Sequence, residues 1–161
     1  MELCQGTLYD VIYGNYQGAP LPSDLHVLNQ IADGIEYIHN LDIIHQNINP
    51  QNILISKVST LKLSDVAFYQ IVNANGAISS MAGIKNPLNW MAPWLQDFDR
   101  ETGKPKLKAS KSSDIFSTGL LFSVFLTGGI HPFWDVENPS EKRHKINQTI
   151  RRNYSGRSIY N

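Results

Sequence analysis

Five carboxamides and one histidine fall within the stretch His45-Gln46-Asn47-Ile48-Asn49-Pro50-Gln51-Asn52. Asp65 follows thirteen residues after Asn52. A carboxamide can accept a hydrogen bond from a hydroxyl through its oxygen and donate through its nitrogen, but it cannot take a proton. The stretch is therefore equipped to bind and orient a polar ligand more than to run acid–base chemistry. Asn and Asp also bond readily to nearby backbone, so Asn52 and Asp65 can equally serve to hold the shape of a loop. Other reactive side chains carry less. His26 and His39 lie within one helical segment without a metal-ligand partner spacing, which leaves them surface or capping roles. Cys4 is a lone thiol, and His45 reads better as a packed loop histidine than as an acid or base. The lysines between Lys104 and Lys111 read as a solvated loop in a chain of formal net charge +0, so no direct contact with nucleic acid is expected.

The elements around this stretch follow from periodicity. Gly6 to Tyr13 reads as a short helix with Leu8, Val11 and Ile12 on one face. A loop punctuated by Gly14, Gly18, Pro20 and Pro22 comes next. Ser23 then suits the N-cap of a helix reaching about Asn40. Leu25, Leu28, Ile31, Ile35 and Ile38 recur along it at three- and four-residue spacing, predicting one buried stripe. Beyond the carboxamide loop, Ile53 to Ser56 and Thr60 to Ser64 predict two strands joined by a turn near Val58. Residues 66 to 91 read as irregular, and about Ser113 to Thr127 as an apolar helix. The expected class is mainly α with a small β-hairpin.

At 161 residues, 42% apolar and 17% charged, the chain has the size and composition of one ordinary globular domain. The single cysteine excludes an internal disulfide and suits a reducing compartment. No signal peptide is visible at the N-terminus. Ile115 to Ile130 is interrupted by Ser117, Thr118, Ser123 and glycines, short of the roughly 20 apolar residues a membrane span requires. No membrane span is expected in this chain.

Four segments, in order, resemble a protein kinase. Ile44 to Ile55 has the layout of the catalytic loop His-Arg-Asp-Leu-x-x-x-Asn and its following strand. Asp65-Val66-Ala67 lies where kinases carry Asp-Phe-Gly. Trp90-Met91-Ala92-Pro93-Trp94 resembles the Ala-Pro-Glu region, with tryptophan for glutamate. Ser113-Asp114-Ile115-Phe116-Ser117-Thr118-Gly119 resembles the start of the central helix of the C-terminal lobe. Met1-Glu2-Leu3-Cys4 with Gly6-Thr7-Leu8 is similar to the hinge of the unfolded-protein-response sensor kinase/endoribonucleases, and Pro50 to Ser56 fits that branch and its relative ribonuclease L.

The resemblance implies an incomplete kinase C-terminal lobe over residues 1–161, with the N-lobe and the last helices of the C-lobe lying outside the sequence. It implies ATP and magnesium as cofactors, the hinge backbone at Glu2 and Cys4 against the nucleotide, and Asn52 and Asp65 as the metal ligands, for which oxygen donors are suited. It also implies a protein partner or homodimer for the parent protein, which would be anchored in the endoplasmic reticulum membrane with this domain facing the cytosol.

The departures bear on chemistry. Gln46 stands in the arginine position, removing the charge-assisted lock on a phosphorylated activation segment; Ser79 and Ser80, at the corresponding phosphosites, then read as solvated loop serines. Asn47 stands in the position of the catalytic aspartate, and a lost general base costs about 10²–10⁴-fold in rate. Asn49 stands in the lysine position, a loss of roughly 10²–10³-fold by analogy with an oxyanion donor. The larger effect alone amounts to roughly 5–6 kcal/mol. The expected function is a catalytically impaired kinase-like domain, a pseudokinase, acting as scaffold or switch and still able to hold nucleotide if Asn52 and Asp65 keep their roles. The alternatives are a Ser/Thr protein kinase with an atypical loop that turns over slowly, and a non-functional gene fragment.

Overall fold

A computed structural model of the chain describes residues 3–65, 89–96 and 109–133. Glu2, Val66 and Ala67, Ser79 and Ser80, and Lys104, Lys106 and Lys108 lie outside the described residues. Six elements follow one another: β1 (Cys4–Thr7), α1 (Leu8–Ile12), α2 (Asp24–Asn40), β2 (Ile53–Ser56), β3 (Leu61–Leu63) and α3 (Lys111–Leu126). Short 3-10 turns at Pro50–Asn52 and Pro93–Gln96 complete them.

The expected hairpin is present, with Ile53 opposite Leu63 and Ile55 opposite Leu61. The sheet, however, has a third antiparallel strand, because β1 pairs along β2 with Thr7 opposite Leu54. Residues 6 and 7, read as the start of a helix, thus belong to a strand. Thr7 is where the chain changes course. Its Oγ1 accepts from the Asp10 backbone N–H at 3.2 Å, and the Asp10 carboxylate accepts from the Thr7 backbone N–H at 2.8 Å. This reciprocal capping box satisfies donors that a helix start leaves open, so helix begins only at Leu8.

Helix α2 has the expected length, but its buried face is Val27, Ile31, Ile35, Ile38 and His39. Leu25 is 68% exposed and Leu28 only partly buried. Ser23 occupies the N-cap without a side-chain capping bond. Val27, Ile31 and Ile35 pack with Ile48, Ile53, Ile55 and Leu121 into one core. Helix α3 starts two residues before the expected Ser113 and brings Leu120, Leu121 and Val124 to that core. Among the described residues no helix is long and apolar enough to cross a membrane. The core therefore has α2, α3 and the sheet around it, and the carboxamide loop runs between α2 and β2.

Candidate functional site

The loop from His45 to Asn52 is held from beneath by a carboxylate on α3. Asp114 is 1% exposed. Its Oδ2 accepts from the His45 backbone N–H at 2.7 Å and from His39 Nε2–H at 2.9 Å, while Oδ1 accepts from the Gln46 backbone N–H at 2.9 Å. A carboxylate taken out of water costs several kcal/mol unless such donors surround it. Gln46 needs the support, since its φ of 64° lies in the left-handed region, which costs an L-residue roughly 1–2 kcal/mol. His39 is thus a buried partner of Asp114 and not a surface or capping histidine. His26 is exposed. Neither Asp114 nor His39 stood out as a site residue in the sequence. The available signal was a lone carboxylate in the otherwise apolar and small-residue run of α3, since such a group is almost never buried unpaired.

His45 is fully buried and fixes the other side of the loop. Its Nε2 lies 2.9 Å from the Ser64 carbonyl, which can only accept, so Nε2 carries the proton. Its Nδ1 accepts from the Asn47 backbone N–H at 3.3 Å. Burial pushes the imidazole below its ordinary pKa of 6.5, outweighing the opposing pull of Asp114. The ring is a neutral spacer between the loop and β3. Ser64 is tied in turn to Asn52, whose carbonyl accepts from the Ser64 backbone N–H at 2.9 Å. These bonds hold Asp65, exposed and with φ of 59°, next to the end of the loop.

The three asparagines converge. Asn49 Oδ1 accepts from the Gln51 backbone N–H at 3.0 Å, capping the Pro50–Asn52 turn. Its Nδ2 donates to the Asn47 carbonyl at 3.1 Å and to Asn47 Oδ1 at 3.0 Å. Asn52 Nδ2 also donates to the Asn47 carbonyl, at 2.7 Å. All three are buried. Among the described residues Asn52 Oδ1 has no hydrogen-bond partner, and the Asp65 carboxylate has none either. One carboxamide oxygen and one carboxylate are thus left over, hard donors of the type magnesium takes. No three His, Cys, Asp or Glu side chains cluster among the described residues, so these two would need phosphate and water to complete a coordination sphere. Gln46 carries the single buried side-chain atom without a partner among the described residues, its Nε2.

Other expected positions lie outside the loop itself. Cys4 is half-buried in β1, in register with Ser56. Trp90, Met91, Ala92 and Pro93 are buried, and the Trp90 carbonyl accepts from Ser117 Oγ on α3 at 2.7 Å. Trp94 meets the ring of Phe116 edge to face at 5.6 Å between centroids.

Comparison with known proteins agrees with this layout. A profile of the protein tyrosine and serine/threonine kinase family matches residues 1–157. The serine/threonine-protein kinase/endoribonuclease IRE2 of Homo sapiens is 31% identical over 142 residues, covering 84% of this chain and 15% of the relative. The sensor for unfolded proteins in the ER, ire1, of Schizosaccharomyces pombe is 28% identical over 157 residues, covering 83% of this chain and 15% of the relative. The tyrosine-protein kinase Fgr of Mus musculus is 28% identical over 137 residues, covering 84% and 25%. The chain thus spans a quarter or less of the length of these relatives.

Proposed function

The chain belongs to the protein tyrosine and serine/threonine kinase family, and from that premise we propose that it is a C-lobe-like pseudokinase segment that holds nucleotide without transferring its phosphate. The carrying observation is at Asn47. The side chain in the position of the base is a carboxamide, and its only acceptor, Oδ1, is already engaged by Asn49 Nδ2 at 3.0 Å. A hydroxyl substrate would find there no proton acceptor, because one lone pair of that oxygen is taken by Asn49 and a carboxamide cannot accept the proton itself. Asn49 itself is committed to capping and bridging, and it brings no positive charge to a transferring phosphoryl group.

Asn52 Oδ1 and the Asp65 carboxylate support the other half of the reading. With ATP bound, they would hold magnesium, whose part is to neutralise charge on the phosphates. The Cys4 backbone in β1 would face the nucleotide base. The domain would then work as a switch. A ligand that binds one state of a parent protein stabilises that state by RT ln(1 + [L]/Kd), roughly 2.7 kcal/mol at a hundredfold excess over Kd, and so biases a two-state pairing with a partner or a second copy. By resemblance to the sensor kinase/endoribonucleases, the domain would face the cytosol in a parent anchored at the endoplasmic reticulum.

A thermal melt of the full-length protein with magnesium and ATP tests the nucleotide half of this reading. The expected outcome is a raised Tm that is lost in Asp65→Ala. An identical Tm with and without nucleotide would reduce Asn52 and Asp65 to loop scaffolding.

A further inference from the structure

The bond pattern of the three asparagines fixes which atom each has left for a ligand. The Gln51 backbone N–H can only donate, so the Asn49 atom 3.0 Å from it is the oxygen. The other end of the Asn49 amide is therefore the nitrogen, a donor, and its 3.1 Å contact with the Asn47 carbonyl is consistent with that. The Asn47 atom 3.0 Å from that nitrogen must then be an acceptor, Oδ1. What remains of Asn47 is Nδ2, which has no partner among the described residues. Asn52 is set the opposite way, because its Nδ2 is used on the Asn47 carbonyl at 2.7 Å and its oxygen is left. Neighbouring carboxamides thus offer a ligand opposite polarities, and both orientations are anchored in backbone groups whose roles cannot reverse.

We propose that Asn47 is a phosphate-binding residue: Asn49 turns its amide nitrogen toward the ligand, so that the position donates to a terminal phosphate oxygen where a carboxylate would repel it. The proposal rests on the nucleotide-binding reading and deepens it. Two substitutions at position 47 and 49 have the same consequence by different routes. Asn47→Asp keeps an acceptor for Asn49 Nδ2 and replaces the free donor by an anionic oxygen. Asn49→Asp keeps the cap on Gln51, removes the donor that holds Asn47 Oδ1, and draws Asn47 Nδ2 toward its own carboxylate, leaving Asn47 Oδ1 for the ligand.

Calorimetric titration of the full-length protein and both variants with magnesium–ATP and with adenosine tests this. A hydrogen bond to a charged group is worth enough for about a ten- to hundredfold change in Kd. The expected result is that loss for ATP in both variants, with adenosine affinity unchanged. In the unsubstituted protein labelled with ¹⁵N, the Asn47 side-chain NH₂ signal should move with magnesium–ATP and stay in place with adenosine, a readout that holds even if a variant folds poorly. ATP affinity unchanged in either variant, or an Asn47 signal that ignores ATP, overturns the proposal while nucleotide binding stands. Failure of the unsubstituted protein to bind either probe overturns both.

Discussion

Asp114 gathers three donors on two oxygens, and two of the three are backbone groups of the loop that carries Asn47. Removing its charge should therefore be felt in the fold as much as in the site. Asp114→Asn replaces one acceptor oxygen by a donor facing donors, and it should cost about 3 kcal/mol of unfolding free energy, measurable by urea denaturation. A variant within 0.5 kcal/mol of the parent, on the order of an ordinary surface substitution, would mean that the loop holds its left-handed turn at Gln46 unaided. His45 gives a second residue-scale expectation with a definite sign. Its folded pKa is below 6.5 because of burial, so between that value and 6.5 the unfolded chain binds more protons than the folded one. Stability from this group is fully present above pH 6.5 and is lost as pH falls through the folded value. His45→Gln should flatten stability against pH in the window just below 6.5, and an unchanged profile would assign the slope to other groups.

At the scale of elements, the Thr7–Asp10 capping box joins β1 to α1, so Thr7→Ala should cost about 1 kcal/mol by losing the cap. The same box explains why β1 was hard to read. Cys4 to Thr7 is four residues with a glycine inside, too short to show alternation, and the apolar positions Leu8, Val11 and Ile12 just beyond it draw the helix backwards in sequence. Helix α2 was legible in length and period but not in phase. The three- and four-residue spacing through Ile31, Ile35 and Ile38 is equally well extended to Leu28 and Leu25 or to Val27, and only packing against β3 and α3 chooses Val27. Ile31→Ala should accordingly cost about 2–4 kcal/mol, whereas Leu25→Ala, at 68% exposure, should fall within about 0.5 kcal/mol. Paired urea melts of these two variants check the phase directly. The loop between α2 and β2 was visible from residue types alone, because five carboxamides in eight residues are distinctive. The carboxylate beneath it was not, because Asp114 is nearly seventy residues away from its partners in sequence and 75 from His39.

For the molecule as a whole, the scaffold of a kinase and the chemistry of a kinase are separable quantities. Asp114, His45 and the buried Trp90–Pro93 segment maintain the frame, and nothing in their bonding depends on the identity of Asn47. A carboxamide in that frame retains the shape of a carboxylate while losing its basicity and its charge. The central claim is therefore that nucleotide is held and not consumed. Incubating the full-length protein with magnesium and γ-labelled ATP, then counting label that remains in intact ATP against label on protein, measures it most directly. The predicted result is intact ATP recovered with the protein and no label transferred to it or to a generic protein substrate. Labelled protein that accumulates with time and disappears in Asp65→Ala would contradict the account.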